Sequence, residues 1–297
     1  MGYVSTYQLC AVDGGGTGCR SAIAASDARV LARASGGPAN YATNAEQTVE
    51  NVLDAVRQAA AQLGAEGPAM RRLVAHVGLA GIMSEQDARA MAARLPFEHC
   101  TVSDDRVTST IGALGESDGA LLAVGTGTFA TLRRGDAIRF IGGWGLNLGD
   151  QASGARLGRD LLEHTLLAWD GLAPESDLTR TMLARFGGVP GEIVAYARQA
   201  RPADYATLAP LAVEAARADD PSGRMLMERG AAYLNKALAA MALSEGDVVC
   251  LIGGVGPHYE PYLAPEFRAR IRPPQGTALD GALQLARRKL EELETSA

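Results

Sequence analysis

Three glycine-rich segments carry the residues best suited to chemistry, and each follows a short apolar stretch. They read Asp13-Gly14-Gly15-Gly16-Thr17, Gly125-Thr126-Gly127-Thr128 and Gly253-Gly254-Val255-Gly256. Consecutive backbone N–H groups in such a turn form a concave site for anionic oxygen, which side chains would obstruct. One segment alone would be read as a hairpin turn. Three segments, each ending an apolar stretch, predict a phosphate-binding site.

The sequence around the first two turns excludes two commoner phosphate sites. Both turns lead into β-prone sequence, whereas a P-loop and a dinucleotide-binding turn each open a helix. The chain has only the lysines Lys236 and Lys289, and neither is near a glycine turn. We therefore expect backbone N–H groups and a divalent cation to balance the phosphate charge, with Asp13 placed to hold the cation.

Apolar segments alternate with helical patterns, which predicts a mixed α/β fold. The predicted strands are Gln8 to Val12, Ser21 to Ala25, Val30 to Ala34, Leu73 to Leu79, Cys100 to Ser103, Ala120 to Val124, Phe129 to Leu132, Ile138 to Ile141 and Val248 to Ile252. The main predicted helices are Asn44 to Leu63, Ser84 to Leu95, Ser153 to Trp169 and Leu279 to about Leu293, with four more before Leu243. A strand, a glycine turn and a second strand recur at 8–25 and 120–132, which indicates two similarly built halves.

Composition narrows the class of protein. Of 297 residues, 47% are hydrophobic and 21% charged, which is typical of a soluble globular chain. The formal net charge of −6 gives no general attraction to nucleic acid or to an anionic membrane. The first basic residue is Arg20 and no apolar run is long enough for a membrane helix, so we expect neither signal peptide nor membrane span. The prediction is a cytoplasmic protein with reduced, dispersed cysteines.

Taken together, the glycine motifs resemble those of the sugar kinase, actin and heat-shock ATPase superfamily. The segments Gly142-Gly143-Trp144-Gly145 and Gly149-Asp150-Gln151-Ala152-Ser153-Gly154 are similar to the N-acetylglucosamine kinase and glucosamine kinase branch of the BadF/BadG-type ATPase family. The resemblance covers nearly the whole chain. It implies two ribonuclease-H-like domains with an interdomain nucleotide cleft. The first would be residues 1–117 completed by the helix 279–297, and the second 118–278 with a helical insertion.

The resemblance also implies ATP and Mg²⁺ as cofactors and assigns residues to them. Asp13 is expected to hold the metal. The residues expected to bind ATP are Gly14, Gly15, Gly16, Thr17, Gly125, Thr126, Gly127, Gly253 and Gly254. The residues expected to bind the sugar are Asn40, Thr128, Gly143, Trp144, Gly145 and Asp150. Relatives usually have Asp-Glu where this chain has Asp150-Gln151, so the resemblance leaves the sugar itself open.

Asp104 matches the catalytic aspartate of the family, which accepts the proton of the attacking hydroxyl. The next residue is Asp105, where relatives often have alanine, and it is the alternative base. An aspartate that ends a strand often caps the next helix, so one of the two is expected to do only that. Neighbouring strand residues point to opposite faces, so we expect only one carboxylate in the cleft.

The leading interpretation is an ATP-dependent kinase, a homodimer by analogy, that phosphorylates the 6-hydroxyl of N-acetylglucosamine or glucosamine. The expected partner is a small amino sugar, with no nucleic acid and no membrane. The alternative is a BadF/BadG-type ATPase that activates a partner dehydratase. Such activators resemble dimers that hold an iron–sulfur cluster, whereas Cys10, Cys19, Cys100 and Cys250 lie in separate segments typical of core cysteines. A sugar-sensing regulator is the least favoured interpretation.

Overall fold

The computed structural model describes residues 8–65 and 67–296. The chain divides into two compact units, one formed by the described residues up to 116 together with those from 274 onward, and the other by residues 117–273. The second unit is therefore an insertion within the first. Each unit has its own sheet and its own hydrophobic core. Over the described residues, no helix is both long and apolar enough to cross a membrane.

The helices in chain order are α1 (Ala45–Ala61), α2 (Pro68–Arg71), α3 (Glu85–Ala92), α4 (Asp105–Leu114), α5 (Gly154–Trp169), α6 (Asp177–Arg185), α7 (Pro190–Gln199), α8 (Pro202–Ala206), α9 (Ala209–Arg217), α10 (Pro221–Met241), α11 (Pro265–Arg268) and α12 (Ala278–Thr295). A 3-10 helix spans Gly256–Tyr262. Helices α1 to α4 and α12 belong to the first unit, and α5 to α11 belong to the second.

A five-stranded mixed sheet forms the centre of the first unit. Its strands are β1 (Leu9–Gly14), β2 (Cys19–Ala24), β3 (Val30–Gly36), β4 (Val74–Leu79) and β5 (His99–Asp104). They lie in the order β3-β2-β1-β4-β5, with β1 to β3 antiparallel and β4 and β5 parallel to β1. The register pairs Gly14 with Leu79 and Leu79 with Asp104, so the carboxyl ends of the three parallel strands share one edge.

Helices cover both faces of this sheet. Helix α1 begins after Asn44, whose side chain accepts a hydrogen bond from the backbone N–H of Gln47, and its buried stripe packs on one face. Helix α12 packs Leu279, Leu283 and Ala286 on the other face, against β1 and β2. Because its strands are covered on both sides, β1 is buried along its whole length.

Two glycines allow α4 and α12 to approach closely. A Cβ atom on Gly112 would lie 1.9 Å from the carbonyl oxygen of Thr277, and one on Gly281 would lie 2.0 Å from that of Thr108. A Cβ on Gly78 of β4 would lie 2.5 Å from the Thr108 side chain. Any side chain at these positions would push α4 away, so glycine fixes α4 between the sheet and α12.

The second unit repeats the same strand arrangement on a smaller scale. Its strands are β6 (Gly119–Val124), β7 (Thr128–Arg134), β8 (Ala137–Gly142) and β9 (Val248–Ile252), in the order β8-β7-β6-β9. Strands β6 to β8 are antiparallel, and β9 is parallel to β6. Helices α5 to α10 lie between β8 and β9 in sequence and supply most of the core of this unit.

The mixed α/β fold predicted from the sequence is confirmed, but the expected arrangement of Asp104 and Asp105 is wrong. Strand β5 ends at Asp104, and Asp105 is already the first residue of α4. The two residues are therefore not neighbours in one strand with side chains on opposite faces. The Asp104 side chain caps α4, as expected of one of the two aspartates, so the helix already begins at Asp105.

Candidate active site

Three aspartates lie near the carboxyl edge of the parallel strands in the first unit. Asp13 is near the end of β1, Asp104 ends β5, and Asp105 begins α4. The negative charges of Asp104 and Asp13 both raise the pKa of Asp105, so the three carboxyls form one electrostatic cluster. In parallel sheets this edge is where ligands and reactive side chains generally lie.

Both carboxylate oxygens of Asp104 are occupied by Arg106. Oδ1 accepts hydrogen bonds from the backbone N–H and from Nε of Arg106, and Oδ2 accepts one from Nη2, each at 2.8 Å. The two side chains are only 14% and 21% exposed, so the pair is largely screened from water. A bidentate pair of this kind fixes the carboxylate in one orientation. Asp104 therefore has a clear local role, which is to begin α4 and hold Arg106.

Asp105 is in a different electrostatic environment. Burial raises its pKa most, the charge and hydrogen bonding of Asp104 raise it further, and together they bring it to about 7, against the opposing effect of Arg106. A carboxyl with this pKa exchanges its proton near neutral pH, which suits a general base. The sequence predicts Asp105 only as the alternative base, because nothing in the local sequence shows that Asp13 lies close enough to raise the pKa of Asp105.

Asp13 is 9% exposed and accepts a hydrogen bond on Oδ2 from Nη2 of Arg20 at 2.8 Å. Burial raises its pKa, while the charge and hydrogen bond of Arg20 lower it. Over the described residues, no group of three or more His, Cys, Asp and Glu side chains could hold a metal ion by itself. Asp13 supplies one buried carboxylate, and Mg²⁺ commonly binds through one or two carboxylates together with water and phosphate oxygens.

The glycines of the first turn fall into two kinds. A Cβ on Gly14 would lie 2.6 Å from Cδ2 of Leu79, so packing requires glycine there. A Cβ on Gly15 or Gly16 would meet no atom within 4 Å, and neither residue has a positive φ. The protein itself therefore does not require glycine at 15 and 16, and the open space above them is available to a ligand. Thr17 follows them and is exposed.

Asn40 reaches the same sheet edge from the segment after β3. It forms an isolated parallel bridge with Ala80, which directly follows β4. Its Oδ1 accepts a hydrogen bond from the backbone N–H of Thr43 at 3.2 Å, so part of its role is to shape this turn. Its side-chain NH₂ group donates to no described residue. That group could still bind a ligand.

The second unit contains a cavity of about 440 Å³ beside its glycine turns. The cavity is lined by Gly125, Thr126, Gly154, Ala206, Ala209, Pro210, Val213, Glu214, Arg217, Gly254, Val255 and His258. Its size is within the usual range for small-molecule sites. The predicted residues Gly125, Thr126 and Gly254 therefore line one pocket. The sequence missed the wall from α8 and α9, because alanine, proline and valine there form no recognisable motif.

The glycines beside this pocket are also of two kinds: some face open space, and one is required by the backbone of the turn. A Cβ on Gly125 or Gly254 would meet no atom within 4 Å, and neither has a positive φ. Gly253, by contrast, has φ +86° and would place a Cβ 2.4 Å from the carbonyl oxygen of Val124, so the turn itself requires it. At the other side of the pocket, Arg217 donates from Nη2 to Nδ1 of His258 at 2.9 Å. Burial and this arginine lower the pKa of His258, which favours the neutral ring.

Asp150 is a strained and buried residue in the segment that precedes α5. It is 7% exposed and has φ +56°, and Ala152 two residues later has φ +69°. Its Oδ1 accepts a hydrogen bond from the backbone N–H of Thr128 at 3.3 Å. Burial raises its pKa, opposed by the backbone N–H groups of Thr128 and Gly145. Non-glycine residues in this conformation concentrate at functional sites. The cap of α5 is Ser153, the residue at which this helix was predicted to begin.

The remaining sugar-site candidates cluster around Asp150. Gly127 leaves room for the Asp150 carboxylate, since a Cβ there would be 3.1 Å from Oδ2. Gly143 and Gly145 have φ +77° and +78°, and Trp144 between them is 70% exposed, so it is not a core residue. Thr128 is 2% exposed, and its hydroxyl has no hydrogen-bond partner among the described residues. A buried hydroxyl without a partner is costly, which is consistent with a ligand that satisfies it.

The structure thus brings the predicted residues together within each unit. Asp13, Asn40, Asp104 and Asp105 lie at one sheet edge of the first unit. In the second unit the glycine turn and the Asp150 segment are joined directly, since the Gly154 N–H donates to the carbonyl oxygen of Gly125 at 2.8 Å. The cavity and the segment that contains Asp150 are therefore adjacent in that unit, since Gly125 and Gly154 both line the cavity.

Comparison with known proteins gives a consistent result. A sequence model of the BadF/BadG/BcrA/BcrD ATPase family matches residues 11–263. The glucosamine kinase GspK of Vibrio cholerae is 33% identical over 282 residues, which is 93% of this chain and 94% of that protein. A solved structure of a candidate N-acetylglucosamine kinase from Chromobacterium violaceum is 34% identical with a TM-score of 0.83, covering 94% of this chain and 99% of that one.

A more distant structure shows that the fold extends beyond these relatives. The ROK family glucokinase from Streptomyces griseus, solved with glucose and AMPPNP, is 20% identical with a TM-score of 0.59 and covers 94% of this chain and 99% of that one. At this identity the likeness shows the fold alone. The resemblance inferred from the glycine motifs is confirmed by the family match and the relatives of higher identity. The chain belongs to the BadF/BadG/BcrA/BcrD ATPase family.

Proposed function

We propose that this protein is an ATP-dependent kinase that transfers a phosphoryl group to the 6-hydroxyl of an amino sugar, either glucosamine or N-acetylglucosamine. The observation that carries the proposal is the set of glycines that the protein does not itself need. Gly15, Gly16, Gly125 and Gly254 have neither a positive φ nor a neighbouring atom that would exclude a Cβ. The absence of side chains lets a polyphosphate come close to the backbone there. The N–H groups of Gly16 and Gly254 donate to no described residue, while those of Gly15 and Gly125 close their own turns. The names of the relatives support the same chemistry.

The cavity of the second unit is proposed to hold the adenosine part of ATP. Its walls from α8 and α9 are largely apolar and suit a flat base, while Thr126 and the open glycines face the phosphate side. Asp13 is proposed to hold Mg²⁺ through water and phosphate oxygen, and Thr17 to contact phosphate. When bound, MgATP supplies the phosphoryl group and the metal stabilises its charge. The residues of this chain position the phosphates and the attacking hydroxyl.

We propose Asp105 as the general base in preference to Asp104. Arg106 occupies both oxygens of Asp104, so accepting a proton there would cost an ion pair and a helix cap. Asp105 instead has its pKa raised to about 7, within the range where a base is most effective. Asp104 then acts through its charge, because removing that charge would lower the pKa of Asp105. This proposal keeps the reaction type predicted from the sequence and places the general base at Asp105 instead of Asp104.

The sugar is proposed to bind at the Asp150 cluster. Thr128 would use its unpartnered hydroxyl, and Trp144 would place its exposed ring against the sugar. Gly143 and Gly145 flank that ring without side chains that would obstruct the sugar. Asn40 is proposed separately as a sugar-binding residue through its side-chain NH₂ group. Gln151 removes one carboxylate that relatives usually have, so the substituent at the sugar 2-position must be measured.

No observation favours the alternative of a dehydratase-activating ATPase. The described cysteines are all free thiols. Burial raises the pKa of Cys10, Cys19, Cys100 and Cys250, which disfavours the thiolate that an iron–sulfur cluster needs. Solved dehydratase activators match this chain at only 10% identity, which concerns the fold alone.

A coupled assay of ADP release tests the proposal directly. The protein is supplied with MgATP and one of five conditions, namely glucosamine, N-acetylglucosamine, glucose, mannose or no sugar. Strong stimulation by one amino sugar is the expected result, and mass spectrometry of the product then locates the phosphate. ATP turnover that is the same in all five conditions would refute the kinase and favour the activator ATPase.

A further inference from the structure

A buried polar ladder joins β4 to β5 in the first unit, directly before the aspartate cluster. His76 of β4 is 5% exposed and lies opposite Thr101 of β5 in the parallel register. Its Nδ1 is 2.8 Å from Oγ1 of Thr101, and its Nε2 is 3.0 Å from Oγ of Ser103. Both ring nitrogens are therefore used, and both bind side chains of the same neighbouring strand.

The direction of these hydrogen bonds follows from the outermost one. Ser103 donates its single hydroxyl proton to the backbone carbonyl oxygen of Asp104 at 3.1 Å, so it must accept from Nε2–H of His76. Nδ1 then accepts from the hydroxyl of Thr101, whose other acceptor, the carbonyl oxygen of Ala75, is farther away at 3.4 Å. Burial lowers the pKa of His76 to about 3, so the ring keeps this neutral tautomer across the working pH range.

The position of the ladder is unusual for the sheet that carries it. On the same face, Leu9, Ala11 and Val74 are apolar and pack towards α12. An imidazole and two hydroxyls are costly to bury unless each is satisfied, and a satisfied network fixes one geometry. The chain places this network where β5 ends and α4 begins, one residue before Asp104.

We infer that His76 is a positioning residue for the two carboxyls of Asp104 and Asp105, and that it acts through Ser103 and the Asp104 carbonyl to fix the start of α4. This inference rests on the proposed function for its catalytic meaning. The α4 helix is held at its other end by the close approach of Gly112 to Thr277. The ladder supplies the matching restraint at the end that carries the carboxyls. Misplacing a reacting group by about 1 Å can lower a rate by about 100-fold.

The test compares two serine substitutions. Ser103→Ala removes the hydroxyl that holds the Asp104 carbonyl. Ser21→Ala removes a hydroxyl that donates to the carbonyl oxygen of Ala55 at 2.8 Å and is more deeply buried, at 0% exposure. A merely structural effect would be at least as large at Ser21. We expect Ser103→Ala to lower kcat about tenfold or more with the KM for ATP within about twofold, and Ser21→Ala to leave kcat unchanged.

Two substitutions of His76 add a rescue experiment. The terminal amide nitrogen of His76→Gln can take the place of Nε2 and donate to Ser103, whereas His76→Leu has no donor. We expect the glutamine variant to keep kcat within a few-fold and the leucine variant to lose as much as Ser103→Ala. If the leucine variant does not fold, the comparison of Ser103→Ala with His76→Gln decides the point. Equal losses of kcat in the glutamine and Ser103→Ala variants would count against the inference.

A second readout does not depend on the kinase reaction. The side-chain carboxyl of Asp105 can be titrated by carbon-13 NMR, with its signal assigned by its loss in Asp105→Asn. We expect Ser103→Ala to lower the pKa of Asp105, because loss of the hydrogen bond to the Asp104 carbonyl lets the two carboxyls separate. We expect Ser21→Ala to leave the pKa of Asp105 unchanged. If Ser103→Ala and Ser21→Ala give the same titration and the same kcat, the inference is wrong. If no sugar is phosphorylated by the native protein, the proposed function fails and the titration alone decides the positioning role.

Discussion

The substitution Asp105→Asn separates the proposed base from every other group in the site, and it should lower activity while raising stability. Loss of the base lowers kcat by about 100- to 10,000-fold, with ATP affinity retained. The pKa of Asp105 in the folded protein is raised from 3.8 to about 7, and each pKa unit corresponds to about 1.4 kcal/mol of free energy. The ionised carboxyl therefore costs the fold up to about 4 kcal/mol, or about 2 kcal/mol after partial access of solvent.

The sign of the pH dependence follows from the same values. A carboxyl whose pKa is raised on folding contributes its full stability only below its unfolded pKa, and this contribution is lost as the pH rises through about 7. Asparagine stays neutral at every pH. The stability advantage of the variant should therefore grow from pH 5 and level off above pH 7.

Urea denaturation at pH 5, 6, 7 and 8, followed by tryptophan fluorescence, measures this advantage, and ADP release measures kcat. Asp104→Asn is the matched control. It keeps an oxygen that can cap α4 but removes the ion pair with Arg106, so it should be less stable. It should also shift the acid limb of kcat to lower pH, because it lowers the pKa of Asp105. The reasoning is refuted if Asp105→Asn is less stable than the native protein at pH 8, or if its kcat stays within tenfold.

Three further predictions concern single positions. Gly125→Ala should change the free energy of unfolding by no more than about 0.5 kcal/mol yet raise the KM for ATP about tenfold, whereas Gly14→Ala, which would clash with Leu79, should destabilise the fold; an unchanged ATP KM in the first would contradict the phosphate role. Thr128→Val should not lower the melting temperature, since its hydroxyl has no described partner to lose, but should raise the sugar KM about tenfold; an unchanged KM would remove it from the sugar site. Gly281→Ala should cost about 2–3 kcal/mol in urea denaturation, while Gly191→Ala on α7, with no atom closer than 4.0 Å, should be neutral or stabilising; a neutral Gly281→Ala would mean that α4 and α12 can separate freely.

The features that could be predicted from the sequence are those set by neighbouring residues. The glycine turns, the apolar strands and the helix starts at Asn44, Ser84 and Ser153 were predicted correctly, because each depends on side chains within a few positions. Such signals are enough to identify the fold and the family.

The parts that the sequence did not predict depend on distant residues. Asp104 and Asp105 differ because one caps α4 and the other receives the charge of Asp13, which is some ninety positions away in the chain. The cavity wall from Ala206, Ala209 and Pro210 likewise forms only when the helical insertion folds back on the glycine turn. The assignments of individual residues to ATP, metal and sugar remain predictions for the experiments above.

The return of α12 to the first unit has a consequence for how the protein is made. Residues 117–273 are continuous, so this unit can complete its core as soon as they leave the ribosome. The first unit cannot, because Leu9 and Ala11 on β1 are covered by Leu279 and Leu283, which are synthesised only after the whole second unit. That face of its sheet therefore lacks its cover until Leu279 and Leu283 have been synthesised. Of the two units, the first is then the later to complete its core, and it is the one that carries the proposed base.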